Sequence, residues 1–210
     1  MKHLDEIRVI DGPIRNLLRK LFDGDNTTTK EKEPNVITTK PPTTTTVDLT
    51  PIDLATMYAN NKDYGKNRYI DTNALRRQDN FMISKNVGLL QRKALAQAYH
   101  QEGNKSTPHG NGAYGLVGWR GNRATPIINA SEAQQFEYLY NTAVKAYNNE
   151  HWTDGGKGSG YKTGKEAYEA FINAKTEEEA AKALNYGYVR PPLEDREFRT
   201  KNIKLLFTKP

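Results

Sequence analysis

Apolar residues along this chain fall mostly at helical spacing. Ile14, Leu17, Leu18, Leu21 and Phe22 stand at i, i+3, i+4, i+7 and i+8, one face of a short helix. Pro13 suits its first turn, where a missing N–H costs nothing. Arg15, Arg19 and Lys20 sit away from the stripe. So short a helix cannot bury that stripe alone and needs a surface to dock on. A partner protein is the leading choice, ahead of a membrane surface or the chain's own domain. Between residues 25 and 50 the periodicity vanishes. Threonine runs at 27–29 and 43–46 flank Lys40, Pro41 and Pro42, the composition of an extended tether.

From Thr50 the pattern turns globular. Thr50 and Pro51 resemble a cap and first turn for a short helix over 52–60, and 73–77 adds a turn of helix. Residues 86–101 predict a helix with Leu89, Leu90, Ala94, Ala98 and Tyr99 near one face. Residues 110–122 are glycine-rich and read as a hairpin or loop. A helix follows from 131 to about 149, with Phe136, Leu139, Tyr140, Ala143, Val144 and Tyr147 at helical spacing. Three more are expected over 163–174, 176–185 and 194–207, the second opened by Thr176 and Glu179 at capping-box spacing. The expected class is mainly α, of α+β type, with one small β-hairpin. Three parts result: a docking helix in 1–24, a linker over 25–50 and a domain over 51–210.

Composition changes the picture modestly. Apolar residues make up 36% of 210, and mean hydropathy is −0.85, lean unless the polar excess lies in a tail. A net charge of +6 suits an anionic partner, whether an acidic cell-wall polymer or nucleic acid. For nucleic acid only the charge speaks. Arg76, Arg77, Lys85, Arg92 and Lys93 are spread among polar helix positions and match no reading motif. There is no cysteine, hence no disulfide framework or thiol chemistry. No apolar run approaches the ~18 residues of a membrane span. Asp5, Glu6, Arg8, Asp11 and Arg15 interrupt what a signal peptide would keep apolar.

The chemistry concentrates at residues 112–123, GAYGLVGWRGNR, with Glu102 ten residues upstream. The glycines let backbone turn sharply and approach a ligand closely. Tyr114 and Trp119 offer flat faces suited to stacking on sugar rings. Glu102 ends a predicted helix beside them and is a candidate proton donor. Between it and Glu132 there is no further acid, so Asp79 upstream is the nearest alternative for a second carboxylate. In a one-acid site, Ser106, Thr107 and Asn111 are placed to hold a water or a sugar amide, and Arg123 completes the candidate substrate-binding set. Two motifs are set aside. The run 155–163, GGKGSGYKT, has Tyr161 inside the Gly-Lys-Thr unit and no strand before it, so it is not a phosphate loop. His100, Glu102 and His109 lack a His-Glu-x-x-His spacing, so no metal and no cofactor is expected.

The same run resembles the GAYGL-QW-G-R segment of phage tail lysozymes. Residues 134–139, QQFEYL, 174–181, AKTEEEAA, and 188–191, YVRP, with Arg196 and Arg199 beyond, resemble later elements of that family in the same order. Gly118 stands where the family usually has Gln, and residues 99–103, YHQEG, replace a Glu-Ser-Gly ending. The resemblance implies a lysozyme-like helical domain that cleaves peptidoglycan, by hydrolysis or transglycosylation, with Glu102 as general acid. It further implies a phage virion protein, of the tail, that acts at the host cell wall. Residues 1–50 would meet other tail or portal-region proteins, in multiple copies within a symmetric assembly. The alternative it allows is a structural virion protein that keeps the fold as an inactive assembly module.

Overall fold

Five of the described α-helices start where a short oxygen-bearing side chain holds a free backbone N–H. The structure, a computed structural model, describes residues 46–61, 71–102 and 113–209. The stripe over 14–22, most of the tether, and Ser106, Thr107 and Asn111 lie outside the described residues. Asp53 caps α1 (Leu54–Asn60), accepting from the Thr56 N–H at 3.0 Å and its hydroxyl at 2.9 Å. Asp71 caps α2 (Thr72–Ser84) through the Ala74 N–H. After α3 (Leu89–Glu102) and two short 3₁₀ turns, Ser131 and Gln134 form a reciprocal capping box on α4 (Glu132–Leu139). Thr163 caps α5 (Gly164–Ile172) and Thr176 caps α6 (Glu177–Ala183), each accepting from the N–H three residues on. The Glu179 carboxylate reaches back to the Lys175 N–H, one residue outside the cap expected for it. α7 (Leu193–Phe207) follows Pro192.

The mainly helical class expected from the pattern is the one observed. α3 is the central element, buried on almost every side from Ala94 to Gln101. It packs on α6, and both present alanines: Ala94 and Ala98 from one, Ala180, Ala181 and Ala183 from the other. α7 closes over α6 and returns to α1 and α3. Lean hydropathy is reconciled with a real core because many interior groups are polar and paired. The Gln97 amide donates to the Arg199 carbonyl at 2.8 Å and accepts from Asn185, and the Gln91 amide donates to the Phe171 carbonyl. Buried polar groups paired in this way avoid the penalty of desolvation without a partner.

Four expectations are corrected. The single turn at 73–77 is the thirteen-residue α2. Its inner face carries Ala74, Leu75, Gln78, Asp79 and Met82, so two of its five buried positions are polar and invisible to a hydrophobic pattern. Asp79 is buried there as the partner of Arg92, and it also accepts from the Ile52 N–H at 2.9 Å. It is a structural ion, not a second acid for Glu102. The β-hairpin is absent among the described residues: one antiparallel bridge pairs Tyr114 with Trp119, N–H to carbonyl at 2.8 Å both ways. Gly115 and Gly118, at φ 71° and 65°, let the chain reverse between the two bridged residues.

The last correction concerns the ends of two helices, expected regular to about 149 and to 185. After Leu139 the chain widens into a π-helical turn, Tyr140–Lys145, and after Ala183 into another, Leu184–Val189. Side chains satisfy the displaced carbonyls: the Trp152 indole donates to the Thr142 carbonyl and the Tyr168 hydroxyl to that of Val144. The two π-turns meet at Tyr188, whose hydroxyl lies 2.6 Å from that of Thr142.

Candidate functional site

α3 ends on Glu102, and the tight bend over 113–120 is folded across that end. A Cβ placed on Gly118 would stand 2.8 Å from the Glu102 Oε2. No residue with a side chain fits there without displacing the carboxyl, and the φ of +65° disfavours one independently. The glycine is thus what lets the bend sit directly on the acid. The other oxygen, Oε1, is held 2.6 Å from Nη2 of Arg199, a buried arginine of α7. One oxygen is tethered, and the other faces the glycine.

Glu102 lines a groove of about 750 Å³. Ala113, Val117 and Gly118 of the bend form part of its wall, with Gln101 at the end of α3. Val189, Arg190, Pro191 and Pro192 face it from the segment that joins the second π-turn to α7. Asp195, Arg196 and Arg199 come from the first two turns of α7. Arg120 and Arg123 complete the lining. Asp195 is the second carboxylate of the groove, and sequence reasoning missed it. Its signal was the i, i+4 spacing to Arg199, which puts the two on one face of α7.

Of the residues expected to bind substrate, Arg123 lines the groove. Trp119 does not. Its ring is fully buried, its N–H donates to the Tyr188 hydroxyl at 3.1 Å, and Tyr138 meets it edge-on at 5.2 Å. A ring so enclosed offers no face to a sugar; it anchors the bend. Tyr114 is half-buried against the core and outside the groove lining. Glu137 of α4 and the acids at 177–179 of α6 do not pair with Arg190 or Arg196. Those acids go elsewhere: Glu137 to Lys85, Glu177 to Lys93 and Glu178 to Lys204. Arg196 instead donates to the carbonyls of Pro191 and Gly155, at 2.6 and 2.7 Å.

Behind the groove stands an aromatic layer. The Arg123 guanidinium lies 5.2 Å over the Tyr188 ring, and His151 stacks on the same residue with centroids 5.9 Å apart. The Tyr138 hydroxyl donates to the Arg123 carbonyl and lies 2.8 Å from the His151 Nε2. Burial, reinforced by the charges of Arg123 and Arg190, pushes the His151 imidazole down to about 4. Burial raises the Tyr188 hydroxyl to about 12, beyond any role in proton exchange near neutrality. His100 is not available as a ligand for a metal: Asn61 and Gln101 flank its two ring nitrogens. No group of metal-binding side chains and no helix able to cross a membrane is found among the described residues.

The chain matches no protein-family profile, no curated protein and no solved structure.

Proposed function

We propose that this protein cleaves the glycan of the bacterial cell wall and that Glu102 delivers a proton to the glycosidic oxygen as the bond breaks. The supporting observation is the carboxyl itself: Oε1 fixed by a buried arginine, Oε2 against a glycine, with all three residues lining the groove. A glycosidic oxygen leaves poorly unless protonated, so an oriented carboxyl is the essential group. Arg199 is a positioning residue, because it holds one oxygen and leaves the other for transfer. Asp195 brings a second carboxylate into the groove, either to stabilise developing positive charge on the sugar or to activate water. The resemblance to phage tail lysozymes supports this reading and would place the protein on the virion, with residues 1–50 joined to other virion proteins. Hydrolysis and transglycosylation both need the acid.

The second reading, an inactive assembly module, draws on the same ion pair. Glu102 and Arg199 join the end of α3 to α7, which is a structural clamp whether or not chemistry occurs. Zymography on purified cell walls separates the two. The wild-type chain should clear the wall. Glu102→Gln should lose about 10²–10⁴ in rate, the usual worth of general acid catalysis, and keep the wild-type circular dichroism. A wild-type chain without activity on walls of several compositions, or a fully active Glu102→Gln, leaves the clamp as the whole role of the pair.

A further inference from the structure

The groove is charged out of proportion to its acid. Five arginines line it, Arg120, Arg123, Arg190, Arg196 and Arg199, against two carboxylates, Glu102 and Asp195. Glu102 answers Arg199 alone. Among the described residues no carboxylate lies within ion-pair distance of the other four arginines. Arg196 is held by neutral carbonyls and Arg123 by an aromatic face, so among the described residues neither positive charge is cancelled. Arg190 sits at φ 58°, a left-handed conformation uncommon outside glycine, at the point where the second π-turn feeds into the groove. Nε of Arg123, and Nε and Nη1 of the buried Arg199, have no hydrogen-bond partner among the described residues. Arg123 and Arg196 each disfavour the charge on Arg190, which burial already disfavours. Unmatched guanidinium groups, partly desolvated and mutually repelling, are costly in an unoccupied protein and become favourable when an anion arrives.

We propose that Arg123, Arg190 and Arg196 form an oxyanion subsite of the groove, beside Glu102, that takes a carboxylate or phosphate carried by the ligand. On the cell-wall reading, on which this inference rests for its ligand, the group is a free carboxylate of the peptide stems or a phosphate of an attached wall polymer. Both present the planar or tetrahedral oxygens that a guanidinium grips by two parallel hydrogen bonds. The subsite then registers the strand. An anchored stem sets which glycosidic oxygen lies above Glu102, so neutral glycan is held less well than substituted glycan.

Calorimetry on the full chain tests this with three probes: the disaccharide tetrapeptide of peptidoglycan, neutral chitotetraose, and poly(glycerol phosphate). Wild type should bind at least one anionic probe tenfold or more tighter than chitotetraose, with affinity falling as salt rises. The favoured anionic probe identifies the source of the oxyanion. Arg190→Gln should erase the advantage by weakening the anionic probes far more than chitotetraose, whereas Arg77→Gln, an equal loss of charge on the exposed surface, should keep it. Should Arg190→Gln fold poorly, Arg190→Gly carries the test, since glycine accepts the left-handed backbone. Equal binding of all three probes, or an advantage that survives both Arg190 variants, overturns the subsite and leaves the glycan reading intact. Anion binding through Arg190 without any chitotetraose binding keeps the subsite and counts against the glycan reading. A single-stranded oligonucleotide bound tenfold tighter than every probe overturns both.

Discussion

Two single residues set the behaviour of the groove. Gly118 is the first. Alanine there would adopt the left-handed conformation at a cost of about 1–2 kcal/mol. Its Cβ would also press on Oε2 of Glu102, the far end of a side chain that can swing away. The expected outcome is therefore lopsided: Gly118→Ala melts only a few degrees lower, while wall-clearing activity falls at least tenfold because the acid is turned from its tether. Activity assays beside thermal melts check this, and full activity would show that Oε2 is not the oxygen that matters. His151 is the second. It is buried and held near 4, while in the unfolded chain it takes up a proton near 6.5. The unfolded state thus binds more protons between those values, so stability is full above about 6.5 and declines as pH falls towards 4, by up to about 3 kcal/mol. The groups facing it are Arg123, Arg190, Tyr138 and Tyr188. Only the histidine among these titrates in that window. His151→Gln keeps a polar atom for Tyr138 but does not titrate there. Urea midpoints from pH 7.5 to 4.5 should fall more steeply for wild type than for the variant; parallel curves would assign the acid sensitivity elsewhere.

At the scale of elements, what holds the site is a pair of irregularities. The π-turns at Tyr140–Lys145 and Leu184–Val189 meet through the Tyr188 and Thr142 hydroxyls, and Trp119 of the bend donates to the same phenol. Tyr188→Phe deletes one oxygen and leaves the buried Trp119 N–H without its acceptor, while the Thr142 hydroxyl keeps the Tyr138 carbonyl. A loss of about 1–3 kcal/mol follows, along with a changed tryptophan emission, since the indole N–H loses its partner. An unchanged urea midpoint would mean the bend is held by its packing alone. Little of this was legible beforehand. Helix starts were, because capping chemistry is local: Thr176 caps where the sequence placed a cap, and the helices expected from 131 and 163 begin there. π-turns leave no periodic mark, since the extra residue is accommodated by partners distant in sequence, such as Trp152 and Tyr168. α2 was reduced to a turn because Gln78 and Asp79 occupy its inner face. Glu102 was legible from its spacing to the glycines. Arg199, 97 residues later in the chain, was not, because its pairing is purely tertiary. Aromatic residues misled for the converse reason: Trp119 has the chemistry of a sugar platform, and burial alone decides that it is an anchor.

The molecule as a whole turns on where its independent part begins. The sequence assigned residues 25–50 to a tether and the domain to 51–210. The interior of the domain reaches back further. The Leu89 N–H, at the start of α3, donates to the Asp48 carbonyl at 3.0 Å. Arg92, almost wholly buried, donates to the carbonyls of Thr50 at 2.7 Å and Asp48 at 3.3 Å while paired with Asp79. A buried ion pair stays favourable only while its remaining donors are satisfied. Residues 46–50 supply two of those acceptors, so they belong to the domain despite a composition that reads as linker. A chain beginning at residue 46 should melt with the full-length protein and clear cell walls equally well when added from outside. A chain beginning at residue 52 should lose about 2–4 kcal/mol, because the Arg92 guanidinium and the Leu89 N–H are left without their partners. Differential scanning calorimetry on the two truncations distinguishes the cases. If both melt alike, water replaces those carbonyls at no cost and the boundary lies at 51 as the composition implied. If the chain from 46 already melts well below the full-length protein, residues before 46 contribute to the domain, and a tether is the wrong description of them.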